Sequence, residues 1–292
     1  MHQVLFHIGS KTVYSYAVMA TLAALACITV GYIRLRPRGF SLVSVLTLAL
    51  TGTVGGVVGA RLFYVLGHLK SFSKGPTIGG SGGIISLQMA GLVLYGAIIL
   101  GGASIIVTAL ILKMKIWQVG DALGLGFFAG LTVGRVGCFL NGCCGGKPTG
   151  LPWGVTFPGS AVKVHPTQIY EIILGLMAFG LLLYLDRYLE RDGEIFFLSL
   201  AFYGVIRFSM EFLRFHSDGR AGLVFQLLSV GILLASVAFL VWGRRWLPLK
   251  EPAGLVGDAG QNQESPKDEG TASFHAQDGE VMPGAPRGLN EV

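Results

Sequence analysis

Seven ionisable residues interrupt otherwise apolar stretches of this sequence: Arg61, Arg135, His165, Glu171, Arg207, Glu211 and Arg214. A charge within a membrane span costs about 2.5–3.5 kcal/mol on insertion scales, so each calls for a partner or a task. Arg207, Glu211 and Arg214 follow one another at i, i+4 and i+7 and share one helix face. Internal ion pairs, of Arg61, Arg135 or Arg207 with Glu171 or Glu211, would satisfy some of these charges. Three or four arginines against two glutamates still leave positive charge in excess, which favours an anionic ligand. Arginine suits phosphate because its planar fork binds bidentately and stays charged. The chemistry expected is therefore recognition of an anionic lipid by its phosphate.

The elements that must carry these residues are membrane helices. Of 292 residues 52% are hydrophobic and 13% charged, against roughly 25% charged in soluble domains. Residues 13–33, 41–60, 75–112 and 221–243 contain no Asp, Glu, Lys or Arg. Each is long enough to cross a hydrocarbon core, which takes about 20 helical residues. Apolar stretches near 117–139, 166–185 and 195–213 carry isolated charges, and the expected architecture is an all-α integral membrane protein of seven spans. The apolar run beginning LAALAC at 22–27 continues to Ile33 before Arg34, Arg36 and Arg38, so it reads as a span and not as a cleaved lipoprotein signal.

Positive charge alternates between loops. Arg34, Arg36 and Arg38, then Lys113 and Lys115, then Arg187 and Arg191, then Arg244, Arg245 and Lys250 mark one side; the longer intervening loops hold less concentrated charge. The positive-inside rule puts the concentrated set in the cytoplasm, with the N-terminus outside and the C-terminus inside. By that reckoning His165, Glu171, Arg61, Arg135, Arg207, Glu211 and Arg214 all fall toward the outer leaflet, with Asp121 at an inner end. Residues 1–249 form the membrane domain. Residues 250–292 carry three basic and eight acidic residues and few large apolar side chains, and read as a disordered tail. The net charge of +6 is a matter of helix ends and lipid headgroups, not of nucleic acid. Gly52, Gly55, Gly56 and Gly59, and again Gly126, Gly130 and Gly134, have the spacing of close helix packing. Cys27 lies mid-span; Cys138, Cys143 and Cys144 make no CxxC…CxxC pair, so neither zinc nor any other metal is expected. A disulfide of Cys138 with Cys143 or Cys144 and a reduced structural role are both compatible with their place.

Residues 134–171 read GRVGCFLNGCCGGKPTGLPWGVTFPGSAVKVHPTQIYE, and residues 203–214 read YGVIRFSMEFLR. With YSYAVM at 14–19 and GARLFYVL at 59–66, they resemble the prolipoprotein diacylglyceryl transferases over nearly the whole membrane part. The resemblance implies an enzyme of the bacterial cytoplasmic (inner) membrane without a cofactor. Such enzymes transfer the diacylglyceryl group of phosphatidylglycerol to the lipobox cysteine thiol of a prolipoprotein signal peptide, releasing glycerol phosphate. It also implies that Arg135 and Arg207 are the family's essential arginines, with Glu211 following Arg207 as in the family. Tyr16, Asn141 and Gly146 fall on signature positions near the lipid, and Arg61, Cys138 and Arg214 are placed with them. The sequence departs from the family in two ways. Met89 stands where relatives often hold a histidine, and Cys138 and Cys143 replace a common asparagine and glutamate. His165 is then the nearest candidate base, although Pro166 after it suits the first turn of a helix and His165 reads more readily as a cap. The rival readings are a paralogue with the same lipid site but another acceptor, and an anion or lipid transporter.

Overall fold

The computed structural model describes residues 2–8, 11–67, 94–158, 160–215 and 219–250. The stretch around Met89 and the tail from residue 251 lie outside them. Among the described residues seven helices follow one another: α1 (Ser15–Leu35), α2 (Leu42–Gly67), α3 (Leu94–Ile111), α4 (Ile116–Asn141), α5 (Thr167–Leu185), α6 (Glu194–Glu211) and α7 (Gly219–Ala238). A π-helical turn at Phe239–Gly243 and a 3-10 turn at Arg244–Trp246 continue α7. Five of these segments are long and apolar enough to cross a membrane: Ser15–Arg38, Leu42–Gly67, Ile116–Asn141, Thr167–Leu185 and Gly222–Trp246. The other two helices have 18 residues each; α3 is uniformly apolar, whereas α6 carries Glu194, Arg207 and Glu211.

The architecture is not purely helical. An antiparallel hairpin, β1 (Val4–Ile8) with β2 (Lys11–Tyr14), precedes α1. It turns directly into the helix: the Ser15 N–H donates to the Gln3 carbonyl at 3.0 Å, and Gln3 Nε2 donates to the Asn141 carbonyl at 3.0 Å. The hairpin is thereby tied to the last residue of α4.

Small residues set the packing. A Cβ on Gly126 would come within 2.9 Å of the Cys27 carbonyl, and one on Gly130 within 3.1 Å of the Ala23 carbonyl. These contacts run α1 antiparallel to α4 at backbone contact. A Cβ on Gly52 would meet the Ile105 side chain at 2.8 Å, and Gly59 touches the backbone of Gly96, so α2 and α3 pair in the same way. The glycine spacing seen in the sequence is thus used for close packing, the stabilising device available where lipid removes the hydrophobic drive between helices. Around α4 two apolar clusters form, one with Leu35, Val45, Leu48 and Met114, the other with Phe128, Leu182, Ile195 and Met210.

One end of the bundle is stitched by ion pairs that the sequence had not suggested as a network. Arg34 engages Asp186 through both nitrogens, and Lys250 Nζ reaches the same carboxylate at 2.8 Å. Arg38 pairs with Asp192 at 2.9 Å, which also accepts from Gln118 Nε2 at 2.8 Å. Arg244 pairs with Glu194. Asp121 accepts from the N–H groups of Gly193 and Phe196 at 2.9 and 3.0 Å. A carboxylate at the N-terminus of α6 satisfies orphan donors and complements the helix dipole, which explains a charge at this depth without any catalytic role.

Candidate active site

At the opposite end, where α4 and α6 finish and α1 and α5 begin, the arginines converge on two buried glutamates. Arg135 Nη2 lies 2.6 Å from Glu171 Oε2, and Arg214 Nη2 donates to Glu171 Oε1 at 3.0 Å. Arg207 Nη2 lies 2.9 Å from Glu211 on its own helix face. Both carboxylates are almost wholly withdrawn from solvent, with side chains 4% and 1% exposed. Among the described residues, three guanidinium groups against two carboxylates leave one positive charge in excess. Arg207 Nη1 and Arg214 Nε are buried without a hydrogen-bond acceptor among the described residues, and the Arg207 guanidinium lies 5.1 Å over the Phe225 ring. Buried donors of a charged group are costly unless an acceptor meets them.

The backbone around Gly146 locks this arrangement. Gly146 forms an isolated antiparallel bridge with Arg214. Its N–H donates to the His165 carbonyl at 2.9 Å, the Lys147 N–H donates to the Leu213 carbonyl at 2.7 Å, and the His165 N–H donates to the Lys147 carbonyl at 3.1 Å. The segments after α4, before α5 and after α6 therefore cross at one point. A Cβ there would stand 2.5 Å from the Leu213 carbonyl and 2.9 Å from His165 Cβ, so only glycine fits. A cavity of about 270 Å³ opens beside this crossing, lined by Lys147, Glu211, Arg214 and Gln226 with Phe212 and Leu223.

Most of the residues singled out in the sequence meet here, but not all. Arg135, Arg207, Glu211, Arg214 and Gly146 belong to the cluster. Asn141 ends α4, followed by Gly142 in the left-handed region at φ 73°. Tyr16, at the start of α1, packs against the last turns of α4, where a Cβ on Gly137 would stand 3.7 Å from its ring. Arg61 sits instead on α2, which packs on α3 and α1; its guanidinium is 5.1 Å from the Tyr64 ring centroid. His165 does not cap α5. Pro166 occupies the cap position and makes no side-chain bond. The His165 ring faces Tyr170, with Nδ1 3.4 Å from the hydroxyl, which also accepts from Trp153 Nε1 at 2.8 Å.

All four cysteines are free thiols. Burial pushes the Cys143 thiol up from its ordinary pKa. The hydrogen bond with Cys138, and then burial, push Cys144 up. Neither is primed as a nucleophile at neutral pH. The sequence reading missed Lys147 and the work of Thr167 and Gln168. Thr167 Oγ1 donates to the Cys144 carbonyl at 2.7 Å, and Gln168 Nε2 donates to the Cys143 carbonyl. The HPTQ run held that signal, because two polar side chains opening an apolar helix have carbonyls to satisfy nearby.

A profile of the prolipoprotein diacylglyceryl transferases matches residues 3–242. A Clostridium tetani protein named phosphatidylglycerol–prolipoprotein diacylglyceryl transferase is 35% identical over 238 residues, which is 77% of this chain and 90% of that protein. Proteins of the same name from Dehalococcoides mccartyi and Finegoldia magna are each 32% identical, over 83% and 81% of this chain and 94% of their own lengths. With the profile match over most of the membrane domain, these identities show that the chain belongs to the prolipoprotein diacylglyceryl transferase family.

Proposed function

We propose that this chain transfers the diacylglyceryl group of phosphatidylglycerol to the lipobox cysteine of prolipoproteins, at the outer leaflet of the bacterial cytoplasmic membrane. The observation that supports the reading is the excess positive charge of the cluster among the described residues, with buried donors on Arg207 and Arg214 that meet no acceptor among them. A phosphate diester offers the oxygens these donors require. In the reaction the substrate thiolate attacks the glyceryl carbon that bears the phosphate. A C–S bond forms, the C–O bond breaks, and the pair of electrons leaves on glycerol phosphate. Negative charge thus grows on the phosphate as the bond breaks. Guanidinium groups held in advance by Glu171 and Glu211 stabilise that charge without reorganising. Thiol activation rests on the positive field of the arginines, because His165 is engaged with Tyr170.

The test is rescue of a bacterium lacking its own transferase, read as the mobility shift and lipid labelling of a prolipoprotein. Restored labelling is the expected result. A chain that reaches the membrane at normal levels, binds phosphatidylglycerol vesicles and still labels no prolipoprotein would favour a different acceptor. Met89, in place of the histidine common in relatives, motivates that second reading.

A further inference from the structure

Three thiols gather at the edge of the arginine cluster. The Sγ atoms of Cys138, Cys143 and Cys144 all lie within 4.8 Å of one another, and those of Cys143 and Cys144 are 3.6 Å apart. A metal–thiolate bond of ~2.3 Å places three sulfurs about 3.8–4.0 Å apart around one ion. The triad therefore needs only small side-chain adjustments to enclose one.

The backbone holds the triad in place. Gly142 and Cys144 both adopt positive φ, 73° and 66°, and fold the chain back over the last turn of α4. The Cys143 N–H donates to the Cys138 carbonyl at 3.2 Å. Thr167 and Gln168 hold the carbonyls of Cys144 and Cys143 from α5. A non-glycine residue in the left-handed region costs about 1 kcal/mol or more, and such strain persists only where its surroundings enforce it. Cys144 is exposed while its two partners are half-buried, so an ion has a way in. Arg135 stands one turn before Cys138 on α4, so a negatively charged complex would form next to the arginine cluster.

We propose that Cys138, Cys143 and Cys144 form a three-thiolate site for a thiophilic d10 cation of the Zn(II), Cd(II) or Cu(I) class. Soft sulfur donors without a carboxylate or imidazole among them select such ions. For a divalent ion M²⁺ the balance is three R–SH plus M²⁺ giving [M(SR)₃]⁻ plus three H⁺, with no change of oxidation state. The bound complex carries one negative charge beside a cluster whose surplus is one positive charge. If the phosphatidylglycerol reading holds, occupancy therefore weakens lipid phosphate binding and slows transfer.

Binding is read apart from catalysis. The purified, reduced protein in detergent is titrated with Cd(II), and the ultraviolet thiolate-to-cadmium charge-transfer band is followed. The expected result is one Cd(II) per chain. Cys138→Ser and Cys144→Ser should each weaken binding by more than the ~10–100-fold typical of losing a supporting residue of a metal site, while Cys27→Ser leaves the titration unchanged. Absence of the band in wild-type protein whose thiols all react as free groups would overturn the proposal. So would a disulfide within the triad that survives reduction, or an unchanged band in both serine variants. The wild-type titration stands even where a variant folds poorly. A protein that binds Cd(II) but transfers no lipid even when metal-free would keep this site and remove the functional reading.

Discussion

Arg135 and Arg207 make different demands on the same side chain. Each anchors on a carboxylate with one nitrogen, Arg135 on Glu171 at 2.6 Å and Arg207 on Glu211 at 2.9 Å, and must present others to phosphate. Lysine keeps the charge but has no second arm. Arg135→Lys and Arg207→Lys are each expected to lower transfer by ~100-fold or more, the effect of removing one donor worth ~2.7–4 kcal/mol in a transition state. Near-normal turnover at normal membrane levels in both would remove the clamp. His165 leads to the opposite expectation. Its ring is turned to Tyr170 and its backbone pins Gly146, so His165→Gln should leave transfer nearly unchanged. A well-inserted His165→Gln protein that loses most activity, together with the acid limb of the wild-type pH profile, would make it the base. The shared face of Arg207, Glu211 and Arg214 was legible because i, i+4, i+7 spacing is local. The sharing of Glu171 between Arg135 and Arg214 was not, because it depends on three segments meeting at Gly146. The thiol triad was hidden for a related reason: Cys138 and Cys143 face each other only through the left-handed turn at Gly142.

Single helices explain what each end of the bundle does. Glycine spacing in α2 and α4 foretold their close partners, since a missing Cβ is visible in sequence, though which helix would fill the gap was not. The hairpin before α1 escaped notice because Val4–Ile8 is short, and its anchor, Asn141, is distant in the chain. Asp121 looked isolated; it serves the N-terminus of α6, a partner 72 residues away. The C-terminus of α5 offers a measurable case. Burial pushes Asp186 up, but hydrogen bonds from Arg34 and Lys250 outweigh it and hold the carboxyl below its usual range. A depressed carboxylate stabilises the fold fully above its unfolded pKa of ~3.9, and this contribution disappears as pH falls through the lower folded value. Thermal unfolding in detergent at pH 7 and near pH 3 should show a smaller acid loss in Asp186→Asn than in the wild type, from a lower starting stability at pH 7. Equal acid losses in the two proteins would mean that the Arg34–Asp186–Lys250 junction does not couple to folding.

For the whole molecule the question is which end faces which side of the membrane. The structure gathers Arg34, Arg38, Arg244 and Lys250 with their carboxylates at one end, and Arg135, Arg207 and Arg214 at the other. The helices alternate between these ends. Since α1 finishes where α4 starts, and α2 leaves that end, α3 has to bring the chain back; its antiparallel contacts with α2, Gly52 to Ile105 and Gly59 to Gly96, agree. By the same logic α6, which starts beside Asp121 and ends at the arginine cluster, carries the chain across before α7 returns. On this parity we propose seven crossings, of which five are long and apolar enough by themselves and α6, with its three charges, is the least apolar. In the proposed orientation the concentrated basic loops put the Arg34 end in the cytoplasm and the arginine cluster outside, where translocated prolipoproteins would meet it. A phosphatase reporter inserted in the loop near Trp153 should be active, and one joined after Lys250 inactive; a reporter that works only in the cytoplasm should give the reverse. Equal signals at the two sites would mean that α6 does not cross. Reversed signals would put the arginine cluster in the cytoplasm and remove the outer-leaflet reading.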